Sequence, residues 1–228
     1  MSKTLCTLRP AFWPDLEYFW RMYQCDYVLI TDHLLFIKQS EITVSAPMQD
    51  KRQTLRIPVR HTGRSQTIAE KRMDKMHPWR KEHLNALKAV FRDAPFAYLY
   101  LPEIEKLYAS ENDNLSGFLF NLIAKQHEWL LLKSVLKRSS LLEPVNEATE
   151  FVINQCKKFD CHFYIADERV YKKDWVKKGK LAAAGIESII FRPMPEAHLL
   201  AGNKDFAALS FLMQYGPEAG YLFRQFDG

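Results

Sequence analysis

The chain has 228 residues, of which 47% are hydrophobic, 26% are charged and 13% are aromatic. This composition excludes a disordered chain, because disordered chains have too few apolar residues to build a core. Eight glycines and eleven prolines exclude collagen-like sequence, and a net charge of +5 is basic without being extreme. At this length we expect one domain spanning residues 1–228.

The distribution of apolar residues predicts a cytoplasmic protein. Lys3 and Arg9 interrupt the start of the chain, so it lacks the apolar stretch of a signal peptide. The longest apolar run, 117–124, is far shorter than the roughly 20 residues of a membrane-spanning helix, and we expect no membrane insertion. In the cytoplasm the four cysteines would be reduced thiols.

The first 60 residues predict two strands, a helix and two extended segments. Residues 4–9 alternate weakly, and a helix over 15–25 follows Pro14. Residues 27–30 are continuously apolar, as in a parallel strand buried on both faces. Extended segments are predicted over 35–44 and 55–59, and Pro58 favours a sheet edge for the second.

The apolar period changes to about 3.6 residues in the block 78–133, which predicts helices. Pro78 begins a helix that ends before Pro95, and two more helices are predicted over 101–108 and 115–132. We interpret this helical block as an insertion or cap within the single domain.

The last third of the chain alternates between predicted strands and helices: strand 135–137, helix 147–158 with Asn146 as its N-cap, strand 161–166, helix 170–184, strand 186–191 and helix 205–215. Short connections between such elements favour right-handed crossovers and parallel pairing. The predicted fold class is therefore α/β, with a mainly parallel, Rossmann-like sheet flanked by helices.

Several motifs with strong chemical meaning are absent from the sequence. There is no glycine-rich phosphate loop, no GxSxG nucleophile turn and no HExxH zinc motif. Cys156, Cys161 and His162 have poor spacing for zinc, so we predict no metal site. The sequence identifies no cofactor.

Three polar residues lie at or just beyond the ends of predicted strands: Arg9, Asp32 and Asp167. Ligands of open α/β sheets bind at the carboxyl ends of the strands, so we expect these side chains on one rim, facing one pocket. Each aspartate has two interpretations. It orients a hydroxyl or amine of a ligand, or it caps a turn.

Lys38 and His83 also have two interpretations each. Lys38, six residues after Asp32, is either a binding cation or a solvated lysine. His83 shares a helical face with Trp79 and is either a satisfied core histidine or a general base. We predict that His83 lines the pocket.

Two segments are strongly basic. Ten Lys and Arg residues lie in 51–81 against Glu70 and Asp74, and five lysines lie in 172–180 against Asp174. Such segments are solvated faces or sites for anions, and Arg56 and Arg60 are candidate ligands in the first. Because no zinc-finger spacing or RRM-type motif accompanies the charge, we do not predict a nucleic-acid partner.

The order of many short motifs is similar to that of a known family. The relevant segments are Arg9-Pro10 with Trp13-Pro14, Asp32-His33 with Phe36 and Lys38, Trp79 with His83 and Ala94-Pro95-Phe96, Ser139-Ser140, Phe163-Tyr164-Ile165, and Tyr215-Gly216-Pro217-Glu218. Together they resemble the WbqC-like family, whose members are often encoded with bacterial O-antigen and other surface-polysaccharide genes. The resemblance covers roughly residues 4–219.

The resemblance implies transfer of an acyl or aminoacyl group onto an amino sugar or a similar nucleophile. Asp32 and His83 would position or deprotonate the acceptor, whereas Arg9 and Lys38 would bind an anionic carrier or phosphate. Trp13 and Asp167 complete the expected ligand-binding set. The implied partner is an anionic small molecule such as a phosphorylated or nucleotide-linked sugar, or an activated acyl donor.

Some polar positions differ from the family pattern. Arg9 stands where the family usually has glutamine, and His33 stands at the second position of an acidic pair. These differences favour an alternative function: a non-catalytic relative that binds a phosphorylated ligand or a partner protein.

Overall fold

The structure is a computed structural model that describes residues 2–37, 41–48, 51–194 and 207–225. Its strands are β1 (Lys3–Leu8), β2 (Tyr27–Ile30), β3 (Thr43–Met48), β4 (Lys51–Arg56), β5 (Val135–Arg138), β6 (Cys161–Ala166) and β7 (Glu187–Ile190). Its helices are α1 (Leu16–Tyr23), α2 (Trp79–Val90), α3 (Ala97–Tyr108), α4 (Leu115–Trp129), α5 (Ala148–Lys158), α6 (Glu168–Lys172), α7 (Lys178–Ala183), α8 (Ala207–Tyr215) and α9 (Ala219–Gln225).

The described chain divides into two compact units. The first unit contains residues 2–9, 20–31 and 133–194, and the second contains the other described residues. The first unit carries a five-stranded sheet in the order β5-β2-β1-β6-β7. Neighbouring strands in this sheet are parallel. The predicted α/β fold with a mainly parallel sheet is therefore confirmed.

The register of the central strands places their carboxyl ends at one edge of the sheet. Leu8 at the end of β1 pairs with Ile30 at the end of β2, and Cys6 pairs with Ile165 near the end of β6. Thr31 extends this edge, because its backbone N–H and its hydroxyl both donate to the Leu8 carbonyl. Arg9 and Asp167 each follow a strand directly at this edge.

The core of the first unit lies between the sheet and the helices that follow β5. Phe151, Val152 and Cys156 of α5 are buried at helical spacing, and Leu181 of α7 is fully buried. The Tyr171 hydroxyl donates to the Tyr164 and Ile189 carbonyls, at 2.9 and 3.1 Å. These contacts fix α6 against β6 and β7.

The second unit contains an antiparallel hairpin, β3-β4, and the helices of the block 78–133. The buried positions of α2 are Trp79, His83, Ala86 and Leu87, the spacing of a single helical face.

At the other end of the chain, Gly216 has a φ of +55° and follows α8. A Cβ at Gly216 would lie 2.5 Å from the Phe96 ring, so this turn requires glycine.

Several local predictions are wrong. The predicted helix 170–184 is two helices, because Asp174 adopts a left-handed φ of +49° between α6 and α7. The N-cap of α5 is Glu147, whose side chain accepts from the Glu150 N–H, rather than Asn146. The strand predicted over 55–59 is β4, which lies earlier in the chain, at Lys51–Arg56. Its first residues, 51–53, are polar, so the apolar pattern did not indicate them.

Helix α9 was not predicted from the sequence, which indicated a stop at Gly216. In the structure a 3-10 turn over Gly216–Glu218 leads directly into α9. None of the helices in the described residues is long and apolar enough to cross a membrane.

Candidate functional site

A cavity of about 400 Å³ lies in the second unit, a volume in the range of small-molecule sites. It is built from the end of β4, the turn that follows and the start of α2. The residues that line it are Thr54, Leu55, Arg56, Pro58, Val59, His61, His77, Glu82 and His83. Three imidazoles, one guanidinium and one carboxylate therefore converge on a single pocket.

His83 is the buried titratable group of this cavity. Its side chain is 3% exposed, and its ring contacts Trp79, Phe12 and Tyr108 at centroid distances of 5.1, 5.5 and 6.1 Å. No described residue forms a hydrogen bond with its Nδ1. A buried polar atom normally has a partner, so the unpartnered Nδ1 marks His83 as a candidate for a binding or catalytic role.

Burial lowers the pKa of His83 to about 4, from an ordinary value of 6.5. A hydrogen bond with the Arg56 backbone opposes this shift, and the nearby His77 adds to it. At neutral pH the imidazole is therefore uncharged. One ring nitrogen is free to accept a hydrogen bond or a proton without first losing one.

The cations around the cavity differ in their pairing. The Arg56 side chain is exposed and forms no ion pair with a described residue. Arg60 and Arg72 share Asp113, with Nη to carboxylate distances of 3.2 and 3.6 Å. Asp113 therefore neutralises part of the basic segment 51–81, whereas Arg56 keeps its charge available at the cavity.

His77 and Glu82 form the exposed side of the cavity. The His77 Nδ1 lies 3.9 Å from a Glu82 carboxylate oxygen, a separation that gives weak attraction when the imidazole is protonated. In the described part of the chain, no group of three or more His, Cys, Asp or Glu side chains has a geometry that could hold a metal ion.

An aromatic layer supports His83 and includes Trp13. The Trp13 indole is 2% exposed and stacks near Tyr108, and its Nε1 donates to the Tyr108 hydroxyl at 3.1 Å. Trp79 also packs against Tyr108, at a centroid distance of 5.8 Å. Trp13 and His83 thus contact one buried tyrosine, although Trp13 does not line the cavity. Its ligand-binding role stays a prediction.

Asp32 belongs to a second buried polar group in the same unit. It is fully buried and accepts a hydrogen bond of 2.5 Å from the Ser116 hydroxyl. Lys71 is also buried, at 6% exposed. Its Nζ donates to Gln66 at 3.3 Å and lies 5.2 Å from the centroid of the Phe36 ring.

Arg9 and Asp167 lie in the first unit. The Asp167 carboxylate accepts from Arg21 at 3.0 Å, and the Arg21 guanidinium lies 5.8 Å from the centroid of the Phe191 ring. Asp167 is therefore an exposed carboxylate already held by a cation. Whether Arg9, Asp32 and Asp167 serve one pocket stays a prediction, and Lys38 lies outside the described residues.

The sequence did not single out His61, His77 or Ser116. His77 and His83 are six residues apart, and His77 precedes the N-cap of α2. It therefore lies outside the helix and does not share the helical spacing of His83. Ser116 lies in the first turn of α4 and reaches Asp32 across 84 positions of sequence. Only the tertiary contact gives it a polar partner.

The chain is an α/β protein whose first unit carries the parallel sheet and whose second unit contains a polar cavity of about 400 Å³. A family model, the WbqC-like protein family, matches residues 9–218. The chain belongs to this family. No curated protein and no solved structure matches it.

Proposed function

We propose that this protein transfers an acyl or aminoacyl group to the amine of an amino sugar, or to a similar nucleophile, in bacterial surface-polysaccharide biosynthesis in the cytoplasm. Membership of the WbqC-like family supports the setting. The observation that carries the chemistry is the buried, uncharged His83 with an unpartnered Nδ1 in a cavity of small-molecule size.

Such a reaction needs a base that is unprotonated before the acceptor arrives. In the proposed step the amine nitrogen bonds to the acyl carbon, and the bond from that carbon to its carrier breaks. His83 takes the proton released by the nitrogen and returns it to the departing carrier. A bound anion near His83 would raise the pKa of its imidazole and so strengthen it as a base.

Arg56 would bind the anionic carrier. Its charge is free of ion pairs within the described chain, and it lines the same cavity as His83. An exposed guanidinium can form two parallel hydrogen bonds with a phosphate. Asp32 is proposed to act with the acceptor as a positioning carboxylate, and Arg9, Lys38, Trp13 and Asp167 complete the proposed ligand set.

The test is incubation of the protein with nucleotide-linked amino sugars and activated acyl or aminoacyl donors, followed by mass spectrometry of the sugar. The expected product carries the mass of the added acyl group. His83→Gln should reduce turnover about 100-fold or more, because general-base catalysis contributes at least that much. Unchanged turnover by His83→Gln would contradict the proposed base.

Arg56→Ala and Arg60→Ala form a matched pair. Arg56→Ala should raise the KM for an anionic donor about tenfold, with a smaller effect at high salt. Arg60→Ala removes the same charge from a side chain held by Asp113 outside the cavity, so its KM should stay unchanged. Equal increases in KM for the two variants would indicate that the donor is bound by the summed positive charge of the segment 51–81 and not by Arg56 in particular.

The non-catalytic alternative predicts a different result with the same variants. Calorimetry would then detect binding of a phosphorylated sugar that weakens in Arg56→Ala, while no donor gives a product. The low pKa of His83 favours this alternative, because an imidazole of pKa about 4 is a weak base unless a ligand raises it.

A further inference from the structure

The loop 172–178 runs from Lys172, the last residue of α6, to Lys178, the first residue of α7, and it presents an unusual side chain to solvent. Trp175 is 56% exposed, whereas Trp13, Trp20 and Trp79 are each 2% exposed or less. A single exposed apolar side chain is common, but tryptophan is enriched where proteins contact the interface of a membrane, so the charges around it decide its meaning. The loop is defined by its sequence Lys-Lys-Asp-Trp-Val-Lys-Lys.

The backbone of this loop is held in place while the indole stays outside. The Trp175 N–H donates to the Val170 carbonyl at 3.1 Å, and the Lys177 N–H donates to the Thr149 hydroxyl at 3.1 Å. Val176, between them, is 4% exposed and packs into the core. Asp174, with its left-handed φ of +49°, turns the chain before Trp175. The exposure of Trp175 is therefore a consequence of a fixed loop.

Two lysines of this region, one at the start of the loop and one in α7, are neutralised. Lys172 lies 2.7 Å from a Glu168 oxygen, and Lys180 lies 3.4 Å from Glu150 and 3.8 Å from Glu147. These lysines contribute little net positive charge to the surface, because each has a carboxylate nearby.

The lysines next to Trp175 are different. Lys173, Lys177 and Lys178 form no ion pair with a carboxylate in the described residues. The Lys173 Nζ lies 5.3 Å from the centroid of the Trp175 ring, and the Lys178 Nζ lies 4.7 Å from that of Tyr171. The exposed indole thus shares a seven-residue segment with three lysines that have no anionic partner among the described residues, and one of them, Lys173, lies over its ring.

We propose that the loop 172–178 binds the surface of an anionic lipid bilayer. Trp175 would lie at the level of the headgroups, where tryptophan is enriched, and Lys173, Lys177 and Lys178 would contact lipid phosphates. Such a contact needs no membrane-spanning helix. It brings the protein to the membrane surface independently of the chemistry proposed for the cavity.

Single-stranded nucleic acid also combines phosphates with aromatic contacts, but the geometry of this loop disfavours it. Bases stack on open aromatic faces, usually several in succession. Here there is one exposed indole in the loop, and the Lys173 ammonium lies over its ring. A single indole whose ring already contacts an ammonium group is better suited to a headgroup region than to a base stack.

Co-sedimentation with vesicles tests the charges. The full chain should bind vesicles of phosphatidylcholine with 30% phosphatidylglycerol, and bind poorly to pure phosphatidylcholine. Lys173→Gln with Lys177→Gln should weaken binding to the anionic vesicles about 30-fold, about fivefold for each lysine. Lys172→Gln with Lys180→Gln removes the same formal charge from paired lysines and should change binding much less. Equal losses for the two double variants would overturn the proposal.

Fluorescence tests the position of Trp175. Brominated lipids quench indoles at the membrane, and Trp175 is more exposed than Trp13, Trp20 or Trp79. Wild-type emission should be quenched by brominated anionic vesicles, and Trp175→Phe should abolish most of that quenching without a change in the thermal melt. Equal quenching in the variant would overturn the proposal. So would stronger binding of a single-stranded RNA than of anionic vesicles, lost in the same lysine variants.

Discussion

The two units differ in the polar groups that they bury. Within the described residues, the buried carboxylates, ammonium and imidazole all belong to the second unit: Asp32, Glu41, Lys71 and His83. The buried polar groups of the first unit are hydroxyls, an amide and thiols: Thr31, Ser134, Ser139, Thr149, Gln155, and the four cysteines. Burying a charge costs far more than burying a hydroxyl, so charged groups are rarely buried without a partner.

The thiols of the first unit reinforce this difference. Burial raises the pKa of Cys156 to about 12 and that of Cys161 to about 11. Thiols with such pKa values are protonated at neutral pH and make poor nucleophiles. The first unit therefore behaves as a sheet scaffold in its interior, whereas the second unit buries groups that can exchange protons or bind charge.

The largest expected effect concerns the pH dependence of stability. The pKa of His83 is about 4 in the folded protein and near 6.5 when unfolded, so the unfolded chain binds the proton more readily. Above pH 6.5, His83 makes its full contribution to the free energy of unfolding. This contribution falls as the pH drops to about 4. The loss over this window should be about 3 kcal/mol.

Urea unfolding at pH 7 and pH 4 measures this effect. His83→Gln should reduce the loss of stability on acidification by about 3 kcal/mol relative to the wild type. His162→Gln, which replaces an exposed histidine of the first unit, is the control for the loss of an imidazole as such. If the two variants lose the same amount of stability between pH 7 and pH 4, the pH dependence does not come from a buried group of the second unit.

A second pair of variants compares one aspartate from each unit. Asp32→Ala removes the acceptor of the buried Ser116 hydroxyl and leaves a small cavity, and should cost about 3 kcal/mol. Asp167→Ala breaks a partly exposed ion pair with Arg21 and should cost less than about 1 kcal/mol. Chemical denaturation of the two variants at pH 7 gives both values. An equal cost would remove the contrast between the two interiors.

The smallest expected difference concerns two glycine turns. Gly185 in the first unit and Gly216 in the second both have a left-handed φ, of +77° and +55°. A Cβ at Gly185 would meet no atom within 4 Å, whereas one at Gly216 would meet the Phe96 ring. Gly185→Ala should therefore cost about 1 kcal/mol from backbone strain alone, and Gly216→Ala about 2 kcal/mol more. Thermal melts of the two variants compare a solvent-facing turn with a packed one.

Apolar periodicity was sufficient to predict much of the first unit. The strand predicted over 161–166 has the same bounds as β6, and the alternation of strands and helices gave parallel pairing. Each of these features depends on neighbours in the sequence. The break between α6 and α7 was missed, because a left-handed residue such as Asp174 has no apolar signature.

Local patterns were enough to predict the fold class, the family and the inward face that Trp79 and His83 share. The availability of individual charges depends instead on contacts between distant parts of the chain. Within the basic segment 51–81, Arg60 is paired with Asp113 while Arg56 lines the cavity, although the two arginines are alike in sequence. The low pKa of His83 likewise arises from desolvation by distant residues. Burial and ion pairing depend on groups far apart along the chain. A local sequence pattern therefore identifies a titratable residue, but it does not predict whether the folded protein stabilises the charged form of that residue.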